Sequence, residues 1–471
     1  MDEGDPKDDG SADLPQWDVA GGTGSRGSYA HRPGRVLVPR AAWSGRGDGV
    51  DERVARRLGS PLRERSDDSR LRTVVVLEGA VDVTRAMAAL RAEGIPVRPD
   101  HVFFAVGGGV SSAPVMFGGV EGAPVMFGGV GGAPVMFGGV GGAPVMFGGV
   151  GGAPVMFGGV GAGGGGCCCS GGPSLPASPD TPRRSTVRRA DAPVDPLPDP
   201  PQGVACRVVV VDTGLAADGL VPAGLAGCTA TGDRDYPDFD HNDELDAATG
   251  HGTFIAGIVR RLAPSAKVEV RQVLTTFGDA SDSEVAEVLV ALLDDRPDIV
   301  NLSFAGYTDD DTTPPAIAEA IATLLAEGVV VVAAAGNDGT CRPAWPAATD
   351  GVIGVAALDD DGPAWFTNHG PWVQACAPGV DVLSCFFDYA GGSADPATTR
   401  PAGGPDNAVQ PDDSGWAKWS GTSFAAPIVA GALARRIADG ASPAGAVRSV
   451  VEDPDLFRIQ GLGTVVNLQP W

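Results

Sequence analysis

Positive charge is scarce in this 471-residue chain: 34 Lys and Arg stand against 59 Asp and Glu, a formal net charge of −25. Nucleic acid and anionic membrane surfaces both need a cationic face, so neither is an expected partner. Long apolar runs are missing too, which excludes a transmembrane helix on pattern. The opening Met1-Asp2-Glu3-Gly4-Asp5 has neither the basic nor the apolar segment of a secretory signal. Cytoplasmic residence is therefore the expectation, with secretion as the runner-up. No pair among the eight cysteines has C-x-x-C spacing, so the common zinc motifs are absent. Cys167, Cys168 and Cys169 are consecutive, poor geometry for a metal or for mutual disulfides. The other five are scattered and expected mostly as free thiols.

What is there divides into four stretches. Residues 1–34 are Gly/Asp/Ser-rich without apolar period and read as a disordered tail. Residues 35–106 read as a small α/β domain. In it Arg35–Val38 and the β-branched Thr73–Val76 suit strands, Val83, Met87 and Leu90 recur at helical spacing, and Gly94 stops that helix. Residues 107–202 are a Gly/Pro-rich repeat and linker: Ala113-Pro114-Val115-Met116-Phe117-Gly118-Gly119-Val120 recurs at Ala123, Ala133, Ala143 and Ala153. Proline and glycine in every unit exclude a long helix and weaken a strand, so a low-complexity linker is the plain reading. A self-associating apolar element is the sharper one.

From residue 203 to 471 the pattern becomes regular. Apolar strands at 205–211, 267–273, 298–304 and 329–335 alternate with helical stretches at 285–293 and 316–326, the first opened by a Ser281-x-x-Glu284 capping box. Strands without polar alternation, separated by amphipathic helices, predict a mostly parallel sheet covered on both faces. Sites in such sheets gather at the carboxyl ends of the strands.

Three stretches carry chemistry. Asp212 ends the strand Arg207-Val208-Val209-Val210-Val211, and a lone Asp there is ordinarily a turn residue. His251 stands between glycines at the start of an apolar helix. Ser423 lies in Gly421-Thr422-Ser423-Phe424-Ala425-Ala426-Pro427, where small residues open another helix. A serine hydroxyl is a weak nucleophile that needs a base and a carboxylate to orient the base. Asp212, His251 and Ser423 supply those roles in the order Asp, His, Ser.

Val211-Asp212-Thr213-Gly214, His251-Gly252-Thr253 and Gly421–Pro427 resemble the three signature motifs of the subtilisin-like serine peptidases, in the same order. The resemblance runs from about Val204 to Asn467. It implies a subtilisin-like α/β catalytic domain and serine endopeptidase activity on polypeptide substrates. Asn337, in Val332-Ala333-Ala334-Ala335-Gly336-Asn337, would donate to the oxyanion. Leu302, Ser303, Phe304, Ala305 and Gly306 would pair with extended substrate, with Ala334, Ala335 and Gly336 walling the pocket. Trp345-Pro346 matches a family cis-proline position. Phe254 departs from the family, which often has a second histidine there. Phe304 and Ala305 are bulkier than usual, and 386–418 reads as a surface insertion before the nucleophile.

The chemistry requires no cofactor. Calcium is the open alternative, at Asp233, Asp235, Asp238, Asp240 and Asp243, although their spacing fails the EF-hand pattern and a solvated acidic loop is the plainer reading. Asp309-Asp310-Asp311 is a weaker case of the same. Members of the family often carry a small α/β prosegment, and Pro99-Asp100-His101-Val102 resembles the end of one. The resemblance implies that residues 35–106 act as an intramolecular inhibitor or folding aid. A peptide-binding pseudoprotease and a repeat-mediated assembly protein are the alternatives from other classes.

Overall fold

A computed structural model describes residues 17–21, 28–65, 69–105, 124–128, 134–138, 188–193, 197, 206–216, 220–225, 227–232, 235, 245–386, 406–407, 415–468 and 470. The N-terminal unit begins with β1 (Asp18–Gly21) and β2 (Ser28–Pro39), an antiparallel pair. Residues 18–21 and 28–34 were expected in a tail; instead Tyr29 and His31 are buried, and Arg32 pairs with Asp279. These few buried side chains are too sparse to make an apolar period.

Next come α1 (Val50–Leu58), β3 (Val74–Glu78), α2 (Val83–Arg91) and β4 (Arg98–Ala105). Helix α1 has Asp51 and Glu52 in its first turn and Arg56 and Arg57 in its last, both matched to the helix dipole. Asp82 caps α2 by accepting from Arg85 N. The sheet runs β4-β2-β3. Val36, Val38, Val75 and Leu77 face α1 and α2. Leu37, Val74 and Val76 face the other way, into the core of the C-terminal unit.

In the repeat region, Pro124–Gly128 and Pro134–Gly138 pair antiparallel; the other units lie outside the described residues. Cys206, Cys228, Cys341, Cys376 and Cys385 are free thiols, and Cys167 to Cys169 lie outside the described residues. No described helix is long and apolar enough to cross a membrane.

The C-terminal unit starts with β5 (Cys206–Asp212), α3 (His251–Leu262), β6 (Ala266–Gln272), β7 (Asp279–Ser281) and α4 (Asp282–Ala291). It continues with β8 (Ile299–Leu302), β9 (Phe304–Ala305), α5 (Pro315–Ala326), β10 (Val330–Ala334) and β11 (Ile353–Asp359). It ends with β12 (Ala375–Pro378), β13 (Val382–Cys385), β14 (Trp416–Trp419), α6 (Thr422–Ala438) and β15 (Gly463–Val465). The sheet order β6-β5-β8-β10-β11-β12-β15 is parallel throughout. Strand alternation divides the core: Val208 and Val210 face α3 and α6, while Val209 and Val211 face α4 and α5. Helix α6 packs against α3 closely enough that a Cβ on Gly431 would stand 2.8 Å from Leu262 Cβ. The expected capping box is formed, with Ser281 and Glu284 exchanging side-chain and backbone bonds.

The two units are joined through the N-terminal sheet, which takes up the short strands β7 and β9 and is separate from the parallel sheet. Strand β4 lies between β7 and β9, with Phe104 opposite both Asp279 and Ala305, and Ala105 opposite Phe304. The N-terminal unit thus covers α4 and α5 and lays its last strand along the edge expected to take substrate.

Candidate active site

Asp212 ends β5, and its backbone carbonyl accepts from Val273 N and Leu274 N, which anchors the strand end. Helix α3 begins at His251 and reaches Asp212 only because residue 252 is glycine. A Cβ there would stand 2.4 Å from Gly214 O. Thr253 Oγ1 accepts from Ala216 N at 2.9 Å, fastening α3 to the turn after β5. His251 Nδ1 then lies 2.7 Å from Asp212 Oδ1, and its Nε2 has no hydrogen-bond partner. Asp212, His251 and Ser423 are all fully buried.

Ser423 is the second residue of α6. Its hydroxyl donates to Ser303 O at 3.1 Å, and the Ser303 hydroxyl donates back to Ser423 O at 2.8 Å. Phe424 and Trp419 pack on the His251 ring, each at 5.3 Å between centroids. Phe254 joins the same aromatic cluster, 4.9 Å from Phe424, which accounts for its place in the helix.

Asn337 is locked from one side. Its Oδ1 accepts from Thr422 N and Thr422 Oγ1, both at 3.0 Å, while Gly336 N donates to Thr422 Oγ1 at 3.0 Å. The carbonyl end is fixed by two donors, and the amide Nδ2 is left buried without a partner. Asn368 braces the same turn, accepting from Asp338 N and Thr340 N and donating to Ala335 O.

The eight expected substrate-binding residues separate into two groups. Ser303, Phe304 and Ala305 line the edge that β4 occupies. Leu302 is interior, paired with Val211 and Ala333 in the sheet. Gly306 bonds to Trp345, whose bond to Pro346 is cis. Ala334, Ala335 and Gly336 are buried on the strand end before Asn337, with Ala335 O and Gly336 N already engaged.

Asp235 is the residue whose role the spacing concealed. It is fully buried, and its Oδ2 accepts from Thr213 Oγ1 and Gly250 N, both at 2.8 Å. Thr213 Oγ1 in turn accepts from Gly252 N. One carboxyl therefore ties the turn after Asp212 to the start of the His251 helix, instead of standing in solvent. Asp233, Asp238, Asp240 and Asp243 lie outside the described residues. Among the described residues, no group of three or more His, Cys, Asp or Glu is arranged to hold a metal. Asp309, Asp310 and Asp311 pair with Arg98 and Arg342.

An Asp–His pair and a serine at a helix start, on a parallel α/β sheet with an amide opposite, have the form of a subtilisin-like hydrolase site. Residues 205–450 match the model of the Subtilase family, and the chain belongs to that family. It is 29% identical over 274 residues to the Thermophilic serine proteinase of Bacillus sp. (strain AK1), covering 55% of this chain and 58% of that one. It is 32% identical over 195 residues to the Thermostable alkaline protease of Halalkalibacterium halodurans, covering 39% and 50%. Thermitase of Thermoactinomyces vulgaris is 28% identical, covering 56% of this chain and 85% of its own. The chain thus spans 58% and 50% of the length of the first two.

Proposed function

We propose that residues 203–471 hydrolyse peptide bonds as a serine endopeptidase, through Asp212, His251 and Ser423 and an acyl-enzyme. The observation that carries this is the state of His251: Nδ1 is engaged by Asp212 at 2.7 Å, and Nε2 is unpartnered. An imidazole holding its proton on Nδ1 offers Nε2 as the base.

The Ser423 hydroxyl donates to Ser303 O rather than to His251. The register puts Phe304 opposite Ala105, so the next residue of an extended substrate stands opposite Ser303. Its backbone N–H competes for Ser303 O, and the displaced hydroxyl turns to Nε2. Ser423 Oγ then attacks the carbonyl carbon as its proton passes to His251. Asn337 Nδ2 and the Ser423 N–H, at the positive end of α6, hold the oxyanion. His251 protonates the leaving amine, then deprotonates the water that releases the acyl group.

Residues 35–106 fit the role of internal inhibitor and folding aid, supported by β4 lying between β7 and β9 where an extended substrate would pair.

The test is fluorophosphonate labelling of the full chain and of Ser423→Ala, read by intact mass. Labelling that requires Ser423 supports an activated nucleophile. A folded wild-type chain that neither labels nor cleaves peptides refutes the proposal and leaves a peptide-binding pseudoprotease.

A further inference from the structure

Helix α6 contains a proline, Pro427, four residues after Ser423. The N–H that would bond Ser423 O inside the helix therefore does not exist, and the proline ring crowds that same carbonyl. A buried carbonyl without a donor is costly, and Ser423 is fully buried. The Ser303 hydroxyl takes the missing donor's place, at 2.8 Å from Ser423 O.

Strand alternation brings that hydroxyl there. Val300 and Leu302 lie in the core with α4 and α5, so Ile299, Asn301 and Ser303 face α6. Asn301 is fully buried; its Nδ2 donates to Ser303 Oγ at 2.9 Å, and its Oδ1 has no hydrogen-bond partner. A buried amide with its oxygen unused serves stability poorly. What it supplies is direction: with Ser303 Oγ accepting from Asn301, the Ser303 proton is left for Ser423 O. Ser303 thus holds Ser423 twice, since its own carbonyl accepts from the Ser423 hydroxyl at 3.1 Å. A substrate N–H that takes over Ser303 O frees only this second bond.

We propose that Asn301 and the Ser303 hydroxyl are positioning groups for the nucleophile. Together they replace the helical bond that Pro427 removes, and they hold the Ser423 backbone still while its side chain turns from Ser303 O to His251. The Ser423 N–H, which shares the oxyanion with Asn337, stays aimed throughout that turn. The inference rests on the peptidase reading above.

The test is a mutant cycle in the full-length protein: Ser303→Ala and Pro427→Ala singly and together, with Asn301→Ala alone and on Ser303→Ala. Pro427→Ala restores an N–H four residues after Ser423, so in that background the Ser303 hydroxyl becomes dispensable. Tm is measured in a Ser423→Ala background, which keeps the carbonyl, prevents self-digestion and needs no access to the cleft. Ser303→Ala should lower Tm by roughly 2 °C or more beside Pro427, and by less than half as much in Pro427→Ala. The rate of fluorophosphonate labelling, with Ser423 intact and well below Tm, is the second readout. Ser303→Ala should slow it about tenfold or more beside Pro427 and less than about threefold in Pro427→Ala. Asn301→Ala should slow it too, yet add less than about twofold to Ser303→Ala, because it acts through that hydroxyl. Lower Tm with unchanged labelling would leave a merely structural bond and overturn the proposal. Equal losses from Ser303→Ala in both backgrounds overturn it as well. If Pro427→Ala does not fold, the Asn301 and Ser303 pair decides, and fully additive slowing overturns the proposal while leaving the peptidase standing. A folded wild type that never labels removes the peptidase reading, and this inference with it.

Discussion

Replacing Asp235 by alanine takes one acceptor from two buried donors, the Thr213 hydroxyl and the Gly250 amide, each at 2.8 Å. A buried donor left unsatisfied costs about 1–3 kcal/mol, so the pair together costs about 2–6 kcal/mol, less whatever relaxation recovers. Chemistry suffers as well, because Thr213 follows Asp212 and Gly250 precedes His251. A displacement of about 1 Å between catalytic groups can lower turnover roughly 10²-fold. Asp235→Asn is the control, since its amide oxygen can accept from the same two donors. Burial pushes the Asp235 carboxyl well above its usual range; the bonds from Thr213 and Gly250 oppose this, and the charges of Asp212 and Asp246 add to it. A raised folded-state pKa means stability that is present at acid pH and lost as pH rises through that value. The wild type should therefore lose Tm relative to Asp235→Asn as pH rises, measured in a Ser423→Ala background to prevent self-digestion. Activity is read as kcat/KM with Ser423 intact. An alanine variant with wild-type Tm and kcat/KM, or an asparagine variant as impaired as alanine, refutes the tie between the two turns.

Asn337→Leu should lower kcat roughly 10²–10³-fold, the loss given for an oxyanion-hole donor of a subtilisin, with KM little changed, and should lower Tm too because Thr422 N and Oγ1 lose their acceptor; steady-state kinetics and a melting curve decide it. Removing residues 1–106 uncovers the apolar face of α4 and α5 that Leu37, Val74, Val76 and Phe103 cover. Soluble yield and refolding should fall, while any molecules that do fold should label faster at Ser423. Unchanged yield, refolding and labelling would rule out both roles of the segment.

Strand and helix positions in the catalytic unit were legible because each element has a strong local signal. Val208 to Val211 have no polar alternation, and Ser281 and Glu284 mark a helix start by themselves. Local chemistry also singled out Asp212, His251 and Ser423, since the glycines and threonines beside them suit close backbone approach at a site better than core packing, whereas Asn337 was indicated by the resemblance to the subtilisin-like peptidases. Their mutual geometry needed the folded sheet: Thr422 clamps the Asn337 carbonyl from 85 residues away, and Ser303 receives the Ser423 hydroxyl from 120 away. Asp235 shows the limit most plainly. In an acidic stretch its neighbours predict solvation, yet burial and two donors from separate turns make it part of the scaffold under Asp212 and His251. The antiparallel pairing of 18–21 with 28–31 and the seat of His101 were hidden for the same reason. A strand recruited by the edge of another unit, and a histidine seated between residues of distant elements, leave no periodicity in their own stretch of chain. Composition and local pattern determined which residues could act; long-range pairing decided which of them meet and what covers them.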